Sequence, residues 1–177
     1  YYETEKLSNQ DLEVAKSKLK SEQDRVNYLL ENFNSENLQK NIETINDTKE
    51  QIEKTMKIHF ETWNNQDKES WLDNWRDDVV MFDPVGGPDK QGKLALEGSW
   101  ENSFKQGHFW KIEPVFMQIC ENQAALHVKN YGVVEDEPIE LDSIEIYWID
   151  DLGKIYQVQT YFGPPEGRTL DPFFSQQ

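Results

Sequence analysis

From Asp11 onward the apolar side chains Leu12, Ala15, Leu19, Val26, Leu29 and Phe33 recur at three- and four-residue spacing, interrupted by Glu22. Such spacing lines one side of a 3.6-residue helix and predicts an amphipathic helix. Asn32, Asn34 and Ser35 break the pattern, and Asn34 or Ser35 suits the cap of a second helix carrying Leu38, Ile42 and Ile45. Two helices with a short polar joint read as an antiparallel hairpin. Thr48-Lys49-Glu50-Gln51 matches the S/T-x-x-E/Q capping box, so a new helix is expected to start there. It carries Ile52, Met56, His59 or Phe60, and Trp63 on one stripe, and stops near Asn64 and Asn65. A short helix over residues 68–76 places Trp71 and Trp75 four residues apart.

The period then changes. Val79-Val80-Met81-Phe82-Asp83 is a β-prone run, and Pro84, Gly86, Gly87 and Pro88 force the backbone to turn. Gly92 precedes a further helix in which Leu96, Trp100 and Phe104 recur every four residues. Residues 109–120, 124–134, 139–149 and 155–162 are β-rich runs separated by polar turns, and read as antiparallel hairpins in one curved sheet. The acidic cluster Glu135-Asp136-Glu137 reads as a solvated hairpin tip rather than a metal site. Residues 163–177 are loop-like, with Phe173 and Phe174 available for packing.

Composition narrows the function classes. With 177 residues, 36% of them hydrophobic, the chain is long enough for one buried domain and an appendage. It has no apolar run of the length that spans a bilayer. A formal charge of −16 argues against a nucleic-acid partner, which needs a basic footprint. Residues 1–50 carry 11 acidic and 7 basic side chains and the remainder 23 and 11, so the acidity lies mostly in the second part. Cys120 is the only cysteine, which excludes an internal disulfide and a cysteine-based zinc site. No cofactor-binding or metal motif is present, and the compartment, cytoplasmic or exported after processing, stays open.

Candidate chemistry centres on Asp83. Period-2 alternation puts its carboxylate on the same strand face as Met81, where an acid is costly unless paired, hydrogen-bonded or used. Asp before Pro is equally ordinary turn chemistry. In the strand over residues 141–149 one face holds Leu141, Ser143, Glu145, Tyr147 and Ile149, and the other Asp142, Ile144, Ile146 and Trp148. Glu145 is therefore a second acid on a face expected to be covered, with Tyr147 beside it. The opposite face, through Ile144, Ile146 and Trp148, is a candidate homodimer surface. In the last strand Tyr156, Val158, Thr160 and Phe162 share a face suited to an apolar wall. His59 lies on or beside an apolar stripe, while His108 and His127 read as structural.

Asp77-Asp78-Val79-Val80-Met81-Phe82-Asp83-Pro84-Val85-Gly86, Gly92 beyond it, and Gly153-Lys154-Ile155 leading to Tyr161-Phe162-Gly163 resemble the nuclear transport factor 2-like superfamily. Within it, the likeness is to the ketosteroid isomerase and polyketide cyclase branch. It implies an α+β fold: a cone-shaped, curved antiparallel sheet with helices on its concave face, over residues 48–163. An N-terminal helical extension, residues 1–47, and a tail, residues 164–177, lie outside it. The resemblance implies Asp83 as a general base and Glu145 as a protonated acid donating to a developing oxyanion. His59 falls where the family has an oxyanion-hole tyrosine. Trp75 and Trp100 fall where supporting aromatics occur, and Met81, Tyr147, Val158 and Phe162 complete the substrate wall. Three functions fit: acid-base isomerisation or cyclisation of a small hydrophobic carbonyl compound, steroid-like or polyketide-like; a non-catalytic binder of a small hydrophobic ligand; or a dimeric assembly module.

Overall fold

The computed structural model describes residues 9–32 and 35–164. The expected tail and the Asn34 or Ser35 cap fall outside its described side chains. The chain divides into two compact units, Tyr1–Ile45 and Asn46–Gln177.

The first unit contains α1 (Asn9–Asn32) and the start of α2 (Ser35–Asn64). Every side chain described in it is exposed, including Leu12, Leu19, Val26, Leu29, Leu38, Ile42 and Ile45 of the two apolar stripes. No new helix starts at Thr48. No Gly or Pro interrupts residues 35–64, and the stripe Leu38, Ile42, Ile45 continues in register through Ile52, Met56, His59 and Trp63. A stripe that resumes in register beyond Lys49, with no helix breaker between, outweighs a local cap signal. From Ile52 onward that stripe is covered.

The second unit is α+β. After α2 come α3 (Lys68–Asp73), β1 (Trp75–Phe82), β2 (Lys90–Gln91), α4 (Gly92–Phe104), β3 (Phe109–Cys120), β4 (Gln123–Val134), β5 (Glu137–Ile149) and β6 (Ile155–Tyr161). Asp67 caps α3, accepting from Ser70 N–H at 3.1 Å. The helix stops three residues short of the expected 76. The Asn74 carbonyl accepts the Ile155 N–H at 3.0 Å, and Trp75 pairs with Ile155, so Trp75 opens a strand instead of closing a helix.

The six strands form one open sheet in the order β2-β1-β6-β5-β4-β3. The long meander is antiparallel as expected, but β1 runs parallel to β6, which makes the sheet mixed. Ile52, Met56 and Phe60 of α2, Trp71 of α3, and Leu96 and Trp100 of α4 join inward residues of β1 and β3–β6 in one core. On β5 the parity is clean: Leu141, Ser143, Glu145, Tyr147 and Ile149 are buried, whereas Asp142 and Ile144 are exposed. The β5–β6 turn is clamped to α2, because Thr55 Oγ1 donates to the Gly153 carbonyl at 2.9 Å and Gln51 Nε2 to that of Asp151 at 3.1 Å. A Cβ on Gly153, which has φ +77°, would stand 2.9 Å from Gln51, so only glycine fits there.

Glu135 and Asp136 are the exposed tip of the β4–β5 hairpin, with φ of 55° and 66° between the paired residues Val134 and Glu137. Two successive left-handed residues are the geometry that Asn-Gly fills with least strain. Replacing Glu135→Asn together with Asp136→Gly is expected to stabilise the fold by about 1 kcal/mol. The reading is a higher urea midpoint at unchanged slope; an unmoved or lower midpoint removes the turn as a site of strain.

Candidate active site

β1 delivers Asp83 just beyond its last residue. The turn that follows is pinned to β6, since the Val85 N–H donates to the Thr160 carbonyl at 2.9 Å. Thr160 in turn pairs with Glu145 on β5, so the two acids sit on either side of a single strand. β2 lies antiparallel to β1 with Lys90 opposite Met81, and the Lys90 ammonium stands 3.7 Å from Asp83 Oδ2. Asp83 is about one-third exposed; the lysine is the more buried partner.

His59, Asp83 and Glu145 line one cavity of about 150 Å³, together with Trp75, Met81, Tyr147, Val158 and Phe162. Of the residues proposed from sequence, Tyr156 is absent from that lining, its hydroxyl accepting from Asn122 Nδ2 at 3.0 Å, and so is Trp100. It is buried behind the wall, with ring centroids 5.3 Å from Trp63 and 5.2 Å from Trp71. The stripe Leu96, Trp100 and Phe104 turns toward the core, leaving Ser99, Asn102 and Ser103 of α4 to the cavity. Trp63, Trp71, Trp110, Asn130 and His108 are lining residues that sequence reasoning did not propose. His108 had been read as structural. His127 is on the outer sheet face, 2.7 Å from Asp142.

At the centre is a chain of hydrogen bonds. Tyr147 Oη donates to Glu145 Oε2 at 2.5 Å, and Ser143 Oγ donates to Oε1 at 2.7 Å. Asn130 Nδ2 supports Ser143 at 2.9 Å, and His59 Nε2 lies 3.3 Å from Tyr147 Oη. The Ser143 contribution was legible from strand parity, two residues from Glu145. That of Asn130 requires knowing the β4–β5 register.

Burial dominates the electrostatics. It pulls the His59 imidazole down to about 3, so the ring is neutral at physiological pH. It raises the Glu145 carboxyl, against the hydrogen bonds from Tyr147 and Ser143, and the nearby Asp83 charge pushes the same way. Burial, then the Glu145 charge, holds the Tyr147 hydroxyl well above its ordinary value. The inner site therefore sets a neutral imidazole, a phenol that keeps its proton and a carboxyl of raised proton affinity opposite Asp83.

Aromatic rings complete the wall. His59 packs edge-on against Trp75 at 5.4 Å, and Trp71 stands 5.3 Å from both Trp63 and Trp75. Among the described residues, the buried side-chain polar atoms without a hydrogen-bond partner are His59 Nδ1, the indole nitrogens of Trp63, Trp71 and Trp75, and Ser99 Oγ. All five residues line this cavity. Unpartnered buried donors cost about 1–3 kcal/mol each and call for a local explanation; their confinement to one cavity marks it as a place where stability was given up. Among the described residues no three His, Cys, Asp or Glu side chains converge as metal ligands. No described helix is long and apolar enough to cross a membrane.

Comparison with solved structures shows the same fold at low identity. The SalBIII epoxide hydrolase/cyclase-like enzyme, described in pyran ring formation in polyether salinomycin, superposes with a TM-score of 0.60 at 16% identity, covering 65% of this chain and 92% of its own. A putative polyketide cyclase from Xanthomonas campestris pv. campestris gives 0.58 at 16% identity, covering 66% and 93%. RV0760c from Mycobacterium tuberculosis, in complex with estradiol-17β-hemisuccinate, gives 0.54 at 19% identity, covering 63% and 92%. No curated protein matches the sequence. The SnoaL-like domain model matches residues 57–158, which include the helix of His59, the Asp83 strand and the Glu145 strand. The chain belongs to the SnoaL-like family, within the nuclear transport factor 2-like superfamily.

Proposed function

We propose that the chain is an acid-base isomerase or cyclase for a small hydrophobic carbonyl compound, steroid-like or polyketide-like, with Asp83 as the base. The observation that carries this reading is the juxtaposition of Asp83 with the buried, hydrogen-bonded group Glu145, Tyr147 and His59 on one aromatic cavity. A carboxylate removes a proton beside a carbonyl most readily when the oxygen that gains charge meets fixed donors in a water-poor site. Here the proton moves from the α-carbon to Asp83, the electron pair moves onto the carbonyl oxygen, and Tyr147 or a protonated Glu145 donates to that oxygen. Asp83 then returns the proton to a different carbon in an isomerisation. In a cyclisation the enolate attacks a second carbonyl carbon instead, and the new alkoxide takes the proton. Tyr147 supplies what the tyrosine expected at position 59 would supply, because His59 reaches the site through the Tyr147 hydroxyl.

A binding role on the same scaffold has its own support. The Tyr147 hydroxyl proton and both Glu145 oxygens are already engaged within the protein, an arrangement that orients a ligand without needing turnover. The neighbouring fold with a steroid derivative bound fits either role. As to partners, we assign the exposed sheet face to a homodimer. Phe116, Ile144 and Tyr161 are 61%, 50% and 44% exposed on β3, β5 and β6, with Ile146 and Trp148 half-buried on β5.

Asp83→Asn is expected to slow deuterium uptake at the α-carbon of a cyclic β,γ-unsaturated ketone by about 10³-fold, with its affinity little changed. Unaltered uptake removes Asp83 as the base, and no uptake by the parent protein supports the binding role.

Glu145 makes stability depend on pH. In the unfolded chain the carboxyl ionises at its model value of 4.5, whereas burial raises it in the fold. Its contribution is thus complete below the unfolded value and is lost as pH rises through the folded one. Glu145→Gln keeps the shape without the ionisation. It should melt about 3 °C above the parent at pH 7.5, with a smaller gap at pH 4.5; a gap that does not widen with pH refutes a buried neutral acid.

Ile144→Lys is expected to convert the sedimenting species from dimer to monomer. An unchanged sedimentation coefficient rules out this face as the dimer surface.

A further inference from the structure

The cavity has a second polar end that the proposed chemistry does not use. It runs across the sheet from Asp83 beyond β1, past β6, β5 and β4, to Trp110 on β3. Four strand intervals at about 4.8 Å make roughly 19 Å measured along the sheet. Glu145, Tyr147 and Asp83 belong to the part between β1 and β5. The far end is formed where α4 runs into β3, by Ser99, Asn102, Ser103, His108 and Trp110.

These groups are fixed in place, and several of the polar atoms are short of partners among the described residues. Trp110 pairs across the sheet with Gly132, and a Cβ there would come within 2.5 Å of the indole ring, so the ring lies flat against bare backbone. Ser103 Oγ is tied to the Ser99 carbonyl at 2.8 Å, while the Ser99 hydroxyl is buried without a partner. Asn102 accepts from the Lys105 ammonium at 2.8 Å through Oδ1, and its Nδ2 donates to no group among the described residues. The His108 ring likewise has no hydrogen-bond partner among them. Burial, and then the Lys105 charge, lowers its proton affinity, so it presents one donor and one acceptor as the neutral imidazole.

We infer that this end is a recognition subsite for a hydroxyl or carbonyl carried at the far end of the ligand, with His108 and Asn102 as its hydrogen-bonding residues and Trp110 as the flat surface beneath. The inference rests on the cavity being a ligand site, as proposed above, and narrows the ligand class. It becomes an elongated, ring-containing molecule with oxygen functions at both ends, not a hydrocarbon skeleton with one carbonyl. The spacing argues for this, because the reacting end alone occupies only part of the cavity's run across the strands.

The test uses 4-phenylphenol and 4,4′-biphenol, which share a rod-like aromatic skeleton and differ by one terminal hydroxyl. Neither has an α-proton, so the result is independent of whether Asp83 acts as a base. Binding is read from quenching of tryptophan fluorescence. The parent protein is expected to bind the diol about tenfold more tightly, the size of one well-placed hydrogen bond. His108→Phe and Asn102→Ala, made separately, should each shrink that preference toward unity, and 4-phenylphenol binding that persists in both shows that the cavity is intact. Equal binding of the two compounds by the parent protein, no binding of the diol, or a preference that survives both substitutions overturns the inference.

Discussion

A carboxyl group sealed against the inner face of the sheet is the constraint around which this molecule is arranged. An ionised Glu145 in that position costs several kcal/mol, more than a neutral hydrogen bond returns. The fold answers by raising its proton affinity through burial and by giving both oxygens a donor. Each donor has requirements of its own. Tyr147 and Ser143 must share the parity of Glu145 on β5, and Ser143 needs Asn130 from the neighbouring strand. His59 needs a helix held at a fixed rotation over the sheet, and the Thr55 and Gln51 bonds to the β5–β6 turn hold α2 there. A mismatch at any of these points leaves an uncompensated polar group in the interior.

The aromatic wall works on a different principle. Trp63, Trp71 and Trp75, backed by Trp100, present large flat faces with few rotatable bonds, so the cavity keeps its shape without a ligand to support it. The cost is visible in the indole nitrogens that find no acceptor. Asp83 sits at the more exposed margin, where Lys90 and solvent share the burden of its charge. Charge is thus kept at the edge, and burial drives the groups inside toward their uncharged forms.

How much of this was legible in the sequence depends on the range of the interaction concerned. The placement of Glu145 and Tyr147 on one covered face follows from alternation within a single strand, and Asp83 from a strand that ends at a Pro and Gly turn. Both are local signals. Lys90 is not legible, because a two-residue strand has no period of its own and its approach to Asp83 depends on pairing opposite Met81. Trp75 was misplaced on a helix because its i, i+4 relation to Trp71 fits a helix as well as two successive elements packed on one core. His108 looked isolated for want of the topology that brings the end of α4 over the β4–β5 meander. The Thr48 box misled for the opposite reason: a sound local motif was overruled by the stripe running through it.

The parallel pairing of β1 with β6 has a consequence for when the site comes into being. Asp83 follows one strand and Glu145 lies on another that does not touch it; what joins them is β6, the last of the described strands along the chain. Until it docks, the turn after Asp83 lacks its anchor at Thr160, and Glu145 lacks the neighbour that closes one side of its enclosure. β6 is a keystone: the chain carries both acids long before anything brings them onto one cavity.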